Sequence, residues 1–309
     1  NNPSLKDAVV IFGGGCSGVA VSEKGLIFTN HHCGYGAIQR LSSVEADYLK
    51  NGFKADNLQQ ELYADGLTIS FLRSTEEVTN QILPKVPSVL SEVQRELAID
   101  SLSDELLKQY DNDPFTTARI IPFYSGNKYY KVVYDVFRDI RLVVTPPSSV
   151  GKYGGDTDNW MWPRQTGDFS VFRVYADKNN KPAKHSADNV PYKPKYVVPV
   201  SLAGVNNGDY AMTIGYPGST QRYLSSFGIE QQMESENKPR IEVRGAKQDI
   251  WWDAMTKNDT IRLKYASKYA GSSNYWKNSM GMNEAIVKLD VLAEKRRLES
   301  RLANWINSN

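Results

Sequence analysis

The sequence predicts a mainly β chain with helical additions, and three features carry that expectation. Up to Phe227, short runs rich in Val, Ile, Leu, Phe and Tyr are punctuated by Gly, Pro, Asn and Asp. One pair of runs, joined by Glu23-Lys24-Gly25, reads as a hairpin with a three-residue loop whose Gly takes the left-handed position. From about Glu230 onward Lys, Glu and Gln rise, and apolar residues recur at helical spacing.

In chain order, residues 9–12 form a strand that enters Gly13-Gly14-Gly15. That run lacks the Gly-Lys-Ser/Thr ending of a phosphate loop and leads into a strand, so it does not read as one. Residues 18–22 and 26–30 are the hairpin arms. Opposed residues of an antiparallel pair share an index sum; Ser22 with Leu26 gives 48 and Cys16 with Cys33 gives 49. The two cysteines are therefore expected to face each other at the open end, within disulfide reach. Their bridge closes a 17-residue separation, worth roughly 3 kcal/mol by the chain-entropy estimate. It would hold His32 beside it at a strand end. Residues 37–53 suggest a short helix and loop, and residues 67–72 a strand. Val89, Val93, Leu97, Leu102 and Leu106 recur at helical spacing within 88–110.

Residues 120–124, 129–137 and 140–145 return to β character, with Gly126-Asn127 as a turn and Pro146-Pro147 as a stop. Residues 151–169 are too dense in Gly, Asp and Trp for a regular element, and long loops of that kind commonly carry function. Within this loop Trp162 reads as a core aromatic. Residues 169–175, 197–202, 210–216 and 223–227 are further strands. Ile286, Leu289, Leu292, Ala293, Leu298, Leu302 and Trp305 mark a long amphipathic helix over 281–306.

Thirty-seven basic against thirty-five acidic residues leave a net charge of +2, which gives no bulk electrostatic case for nucleic acid or an anionic membrane. No apolar run approaches a membrane span. Two cysteines expected to pair suggest an oxidising compartment, a periplasm or the extracellular space. The start Asn-Asn-Pro-Ser, without Met, suggests a processed or excised chain. Of the three histidines, His185 lies in a Lys/Asn/Pro-rich loop and reads as a surface residue. His31 and His32 point to opposite faces if the strand continues, and Cys33 is claimed by the bridge, so neither metal nor cofactor is expected. His32 then remains as a general base.

Thr29-Asn30-His31-His32-Cys33 with Cys16 upstream resembles the histidine–cysteine signature of chymotrypsin-like serine proteases. The blocks CSGVAVSEKGLIFTNHHCGY, GGDTDNWMWPRQTGDFSVFR and GDYAMTIGYPGSTQRY, in this order, are similar to the bacterial periplasmic dipeptidyl-peptidases of types 7 and 11. That resemblance implies a chymotrypsin-like double β-barrel with an α-helical domain inserted in the second barrel, acting on peptides with a free amino terminus. Residues 1–200 would form the first barrel with a helical insertion, 201–228 the first strands of the second, and 229–309 the start of the helical domain. It also implies His32 as base, Asp168 as the triad carboxylate, and Asn159, Trp160 and Asn274 as the grip on the substrate's amino group. Asp156 and Asp158 lie in the same loop, and the residues alone do not choose among the three. The family's Gly-Asn-Ser-Gly type nucleophile motif does not occur; Ser17 and Gly271-Ser272-Ser273 are poor substitutes. The nucleophile and oxyanion hole are thus expected beyond Asn309, with side-chain preference left open. A trypsin-like endopeptidase is one alternative; the other is a non-catalytic peptide-binding module whose 281–306 helix buries its apolar stripe internally or in a homodimer.

Overall fold

In the computed structural model, which describes residues 2–309, the chain divides into two compact units. The first comprises Asn1–Ala37, Phe53–Thr145 and Phe169–Pro217. Its strands are β1 (Val9–Phe12), β2 (Cys16–Ala20), β3 (Leu26–Thr29), β4 (Phe53–Lys54), β5 (Leu62–Tyr63), β6 (Ile69–Glu77), β7 (Thr116–Phe123), β8 (Lys128–Phe137), β9 (Asp139–Thr145), β10 (Ser170–Ala176) and β11 (Val190–Pro191). They form one antiparallel sheet in the order β4-β9-β10-β3-β2-β1-β6-β8-β7, with β11 on β10 and β5 on β9.

This corrects the expected chymotrypsin-like barrels. The ladder runs from β4 to β7 and does not return on itself, whereas closure requires its two ends to be hydrogen-bonded. The strands expected over 197–202, 210–216 and 223–227 are also absent. Strand formation needs a ladder partner for each N–H and C=O. Here isolated bonds hold the backbone in place of a ladder, among them Val198 N to Ala20 O at 2.9 Å and Tyr216 N to Ser17 Oγ at 2.7 Å. Leu202 and Tyr223 are 96% and 97% exposed.

Phe12, Ile27, Ile69, Phe137, Ile140, Leu142 and Phe172 are fully buried along the sheet. A satellite core forms where Val78, Ile82, Val86 and Tyr129 meet Ile99, Leu102 and Leu106. The helices of the chain begin with α1 (His31–Leu41), α2 (Tyr48–Asn51), α3 (Thr79–Ile82) and α4 (Glu92–Leu107). α4 starts on a capping box between Ser91 and Gln94. It turns Leu102 and Leu106 inward, while Val89, Val93 and Leu97 stay exposed.

The second unit comprises Ile38–Gly52, Pro146–Asp168 and Gly218–Asn309. It holds α5 (Ser148–Gly151), α6 (Ser226–Gln231), α7 (Lys238–Lys257), α8 (Asp259–Lys288) and α9 (Val291–Ser308), with a π-helical stretch at Gln232–Asn237 between α6 and α7. The long helix expected over 281–306 is two helices, broken at Leu289 and Asp290, the latter at φ 50°. The α7–α8 pair is bridged by polar groups, Arg240 donating to Ser279 Oγ at 3.4 Å and Arg244 to Ser272 Oγ at 3.3 Å. Glu299 of α9 accepts from Ser226 N and Oγ at 2.6 and 2.7 Å, tying α9 to the start of α6. Among the described residues no helix is long and apolar enough to cross a membrane.

Candidate active site

The hairpin behaves as expected in one respect and differs in another. Gly18 pairs with Thr29 and Ala20 with Ile27, an index sum one lower than the sequence suggested. Cys33 consequently does not lie in the ladder; the chain leaves β3 and starts α1 at His31. The bridge still forms, between the first residue of β2 and the first turn of α1, with Cα atoms 6.0 Å apart. His32 therefore stands in a helical turn rather than at a strand end. Its neighbour His31 is 1% exposed and edge-on to Tyr35 at 5.5 Å, while the His32 side chain is exposed. A ring nitrogen of His32 and both sulfurs lie within 4.8 Å of one another. While the sulfurs are bonded to each other they offer no thiolate to a metal.

The start of α1 is stitched to the sheet. The Asn30 carbonyl accepts from Cys33 N and Gly34 N at 3.2 Å and from the Ser170 hydroxyl of β10 at 3.0 Å. Gly34 permits this approach, since a Cβ there would lie 2.7 Å from Ser170 Oγ and 2.9 Å from the Phe172 ring. Such a fixed backbone is what a base needs if its imidazole is to keep one position.

In the second unit the 146–168 loop folds onto α8. Lys277 Nζ donates to the carbonyls of Asp156 and Thr157, the latter at 2.7 Å. Asn159 Nδ2 donates to Asn274 Oδ1 at 3.0 Å across 115 residues of sequence. Trp160 Nε1 donates to the same Oδ1 at 3.0 Å and to the Asn274 carbonyl at 3.1 Å. Arg164 donates to Asn159 Oδ1 at 3.0 Å. Trp160 sits at φ 63°, a conformation that costs an indole-bearing residue energy and persists where its surroundings demand it. Its ring is 58% exposed and, with Asn274, borders a cleft of about 720 Å³ that also takes in Leu224, Asn278, Met282 and Ile286. Trp162, expected in the core, is 93% exposed.

The resemblance pointed to Asn159, Trp160 and Asn274, and the structure brings those three together. Arg164 and Lys277 were missed; Lys277 was detectable as the residue one turn beyond Asn274 on the same helix face.

The profile of the Peptidase S46 family matches residues 1–309. The chain belongs to the peptidase S46 family. It is 54% identical over 309 residues to dipeptidyl-peptidase 7 of Porphyromonas gingivalis, covering all of this chain and 43% of that protein. It is 46% identical over 299 residues to the Asp/Glu-specific dipeptidyl-peptidase of Flavobacterium psychrophilum, covering 97% of this chain and 42% of the relative. The crystal structure of Porphyromonas endodontalis DPP11 in complex with the dipeptide Arg-Glu superposes with a TM-score of 0.91 at 43% identity, over all of this chain and 45% of that one. The S46 chain thus spans less than half the length of these relatives.

One of the three loop carboxylates of this S46 chain has a partner inside the loop itself. Asp156 pairs with Lys152 at 2.9 Å. Asp158 folds back so far over its own turn that a Cβ on Gly154 would lie 2.1 Å from its Oδ2. Asp168 is half-buried at the end of the loop. The residues before it are pinned to α5, with Gly167 N donating to the Val150 carbonyl at 2.9 Å and Thr166 Oγ1 to Val150 and Gly151 carbonyls at 3.3 Å. Gly167 packs closely on α5, where a Cβ would meet Val150 Cγ1 at 2.7 Å and displace that side chain.

Proposed function

We propose that this S46 chain supplies the amino-terminus grip and two of the three catalytic groups of a serine-type dipeptidyl-peptidase, in a periplasmic or secreted protein. The observation that carries the reading is the Asn159–Asn274–Trp160 set. It presents an indole face on a peptide-sized cleft, with the amide oxygen of Asn159 beside it. An ammonium needs carbonyl-type acceptors and an aromatic face, and an acylated terminus has no such charge to offer. Asn159 Oδ1 accepts from Arg164 and retains a second lone pair for that purpose. A peptide held by its amino terminus at a fixed site is cut at a fixed distance from it, which is what dipeptide release requires.

His32 would take the proton of a serine hydroxyl and return it to the leaving amine, with Asp168 holding the imidazole in the correct tautomer. The choice of Asp168 follows the resemblance, and the pairing of Asp156 with Lys152 makes that aspartate the weaker candidate. The chain carries no Gly-Asn-Ser-Gly motif, so we assign the nucleophile to the part of the longer relatives that this chain does not match.

The test uses the full-length protein and a peptide offered with a free or an acetylated amino terminus. The free peptide should lose successive dipeptides and the acetylated one should resist. His32→Ala should lower kcat by on the order of 10⁴-fold or more. Internal cleavage of the acetylated peptide would instead favour an endopeptidase, and full activity of the His32 variant would remove the base from this mechanism.

A further inference from the structure

We propose that reduction of the Cys16–Cys33 bridge converts the hairpin mouth into a binding site for a thiophilic divalent cation, Zn²⁺ by its chemistry, with Cys16, Cys33 and His32 as ligands. A ring nitrogen of His32 and the two sulfurs already lie within 4.8 Å of one another. A tetrahedral zinc ion holds nitrogen and sulfur at about 2.0–2.3 Å, which places its ligand atoms roughly 3.5–4 Å apart. To reach that spacing the His32 nitrogen closes by about an ångström, while the two sulfurs, no longer bonded, move apart. The Cα separation of 6.0 Å leaves room for an ion between two thiolates.

The backbone that carries these ligands has anchors besides the sulfur–sulfur bond. Cys16 is held by its ladder with Phe12, and Cys33 by the hydrogen bond from its N to the Asn30 carbonyl at 3.2 Å. His32 is exposed, so a hydrated ion can reach it and keep a water in the fourth position, as sites with three protein ligands do. The chemistry balances with a thiol reductant, which gives up two electrons and two protons and is oxidised to its own disulfide. Cys16 and Cys33 become thiols, and the ion then displaces their two protons as it binds. The consequence for activity rests on the role assigned to His32 above: an imidazole lone pair bound to a metal cannot accept a serine proton, so the reduced, metal-loaded protein would be switched off. Metal binding itself does not rest on that role.

The test is an anaerobic Co²⁺ titration of the 309-residue chain, oxidised and after reduction with a phosphine that is then removed. The reduced chain should take up one Co²⁺ with thiolate charge-transfer and tetrahedral d–d bands, and the oxidised chain none. Cys33→Ser should roughly halve the charge-transfer intensity and the double variant with Cys16→Ser abolish it, and His32→Ala should weaken affinity by about 100-fold or more, since loss of an outer-shell partner alone costs up to about that much. No uptake by the reduced chain, equal affinity of the His32 variant, or loss of the near-UV circular dichroism on reduction would each overturn the proposal. Unimpaired peptidase activity of the full-length His32 variant would remove only the switch and leave the metal site standing.

Discussion

At the scale of single residues, Asp139 shows how a charge is made tolerable inside the sheet. Its carboxylate is fully buried, which by itself would raise its pKa. The bidentate Arg141 at 2.9–3.0 Å, His185 Nδ1 at 2.9 Å and Asn189 Nδ2 at 2.9 Å reverse that and hold it below the usual carboxylate value. Replacing Asp139 by Asn strands the Arg141 charge, and a loss of about 3–5 kcal/mol in urea unfolding is expected. Because the folded-state pKa is depressed, the stabilisation is complete above the unfolded value of about 3.9 and is lost as pH falls through the folded one. Unfolding midpoints of the wild type should therefore drop below about pH 4, and those of the Asn variant should drop less. His185 is on the surface, as its neighbours suggest, yet its ring is stacked on Tyr63 at 3.8 Å and 12°. The Asp139–Arg141 pair is visible as an i, i+2 spacing on one strand face, but nothing local announces a histidine arriving from 46 residues away.

At the scale of elements, the hairpin and the α1 start form one unit, and their junction is where substitutions should tell. Gly34→Ala forces a methyl against Ser170 and Phe172 and should cost about 1–3 kcal/mol, read from thermal or urea unfolding. Removing both cysteines as serine should cost about 3 kcal/mol on the chain-entropy estimate. In the second unit, Trp160→Phe keeps the ring but loses the two hydrogen bonds to Asn274. In the full-length protein KM for free-amine peptides should rise several-fold, with the far-UV circular dichroism unchanged, since each such bond contributes about 0.5–1.5 kcal/mol. Glu299→Ala should speed amide exchange over 291–308, because Glu299 is the group that ties α9 to Ser226. The hairpin was legible because its loop and its apolar alternation are local. Its register was one residue off because Ser22 and Leu26 were taken as a pair, whereas the ladder opposes Gly18 with Thr29. The break at Asp290 has no Gly or Pro to announce it and follows from how α9 packs back on α6.

At the scale of the whole molecule, the chain alone is expected to release no dipeptides from any free-amine peptide in a chromatographic assay, because the nucleophile assigned above is not part of it. A chain that did so, and stopped on His32→Ala, would mean that one of its own serines attacks. The barrel expectation failed at this scale too: residues 197–227 have strand-like composition, but composition does not supply the neighbouring edge that would turn them into a ladder.

By itself the sequence determined what lies close along the chain: the apolar alternation of the strands, the hairpin, and the pairing of Cys16 with Cys33; Asn159, Trp160 and Asn274 came only from the family resemblance. Periodicity and turn chemistry act between near neighbours, and those can be read in order. Only the tertiary structure decided that the sheet stays open, that His32 begins a helix, and that Asp139 gathers partners from a distant loop. Each of these depends on which far segment arrives beside it, and that is set by chain closure and packing rather than by any residue's own preference.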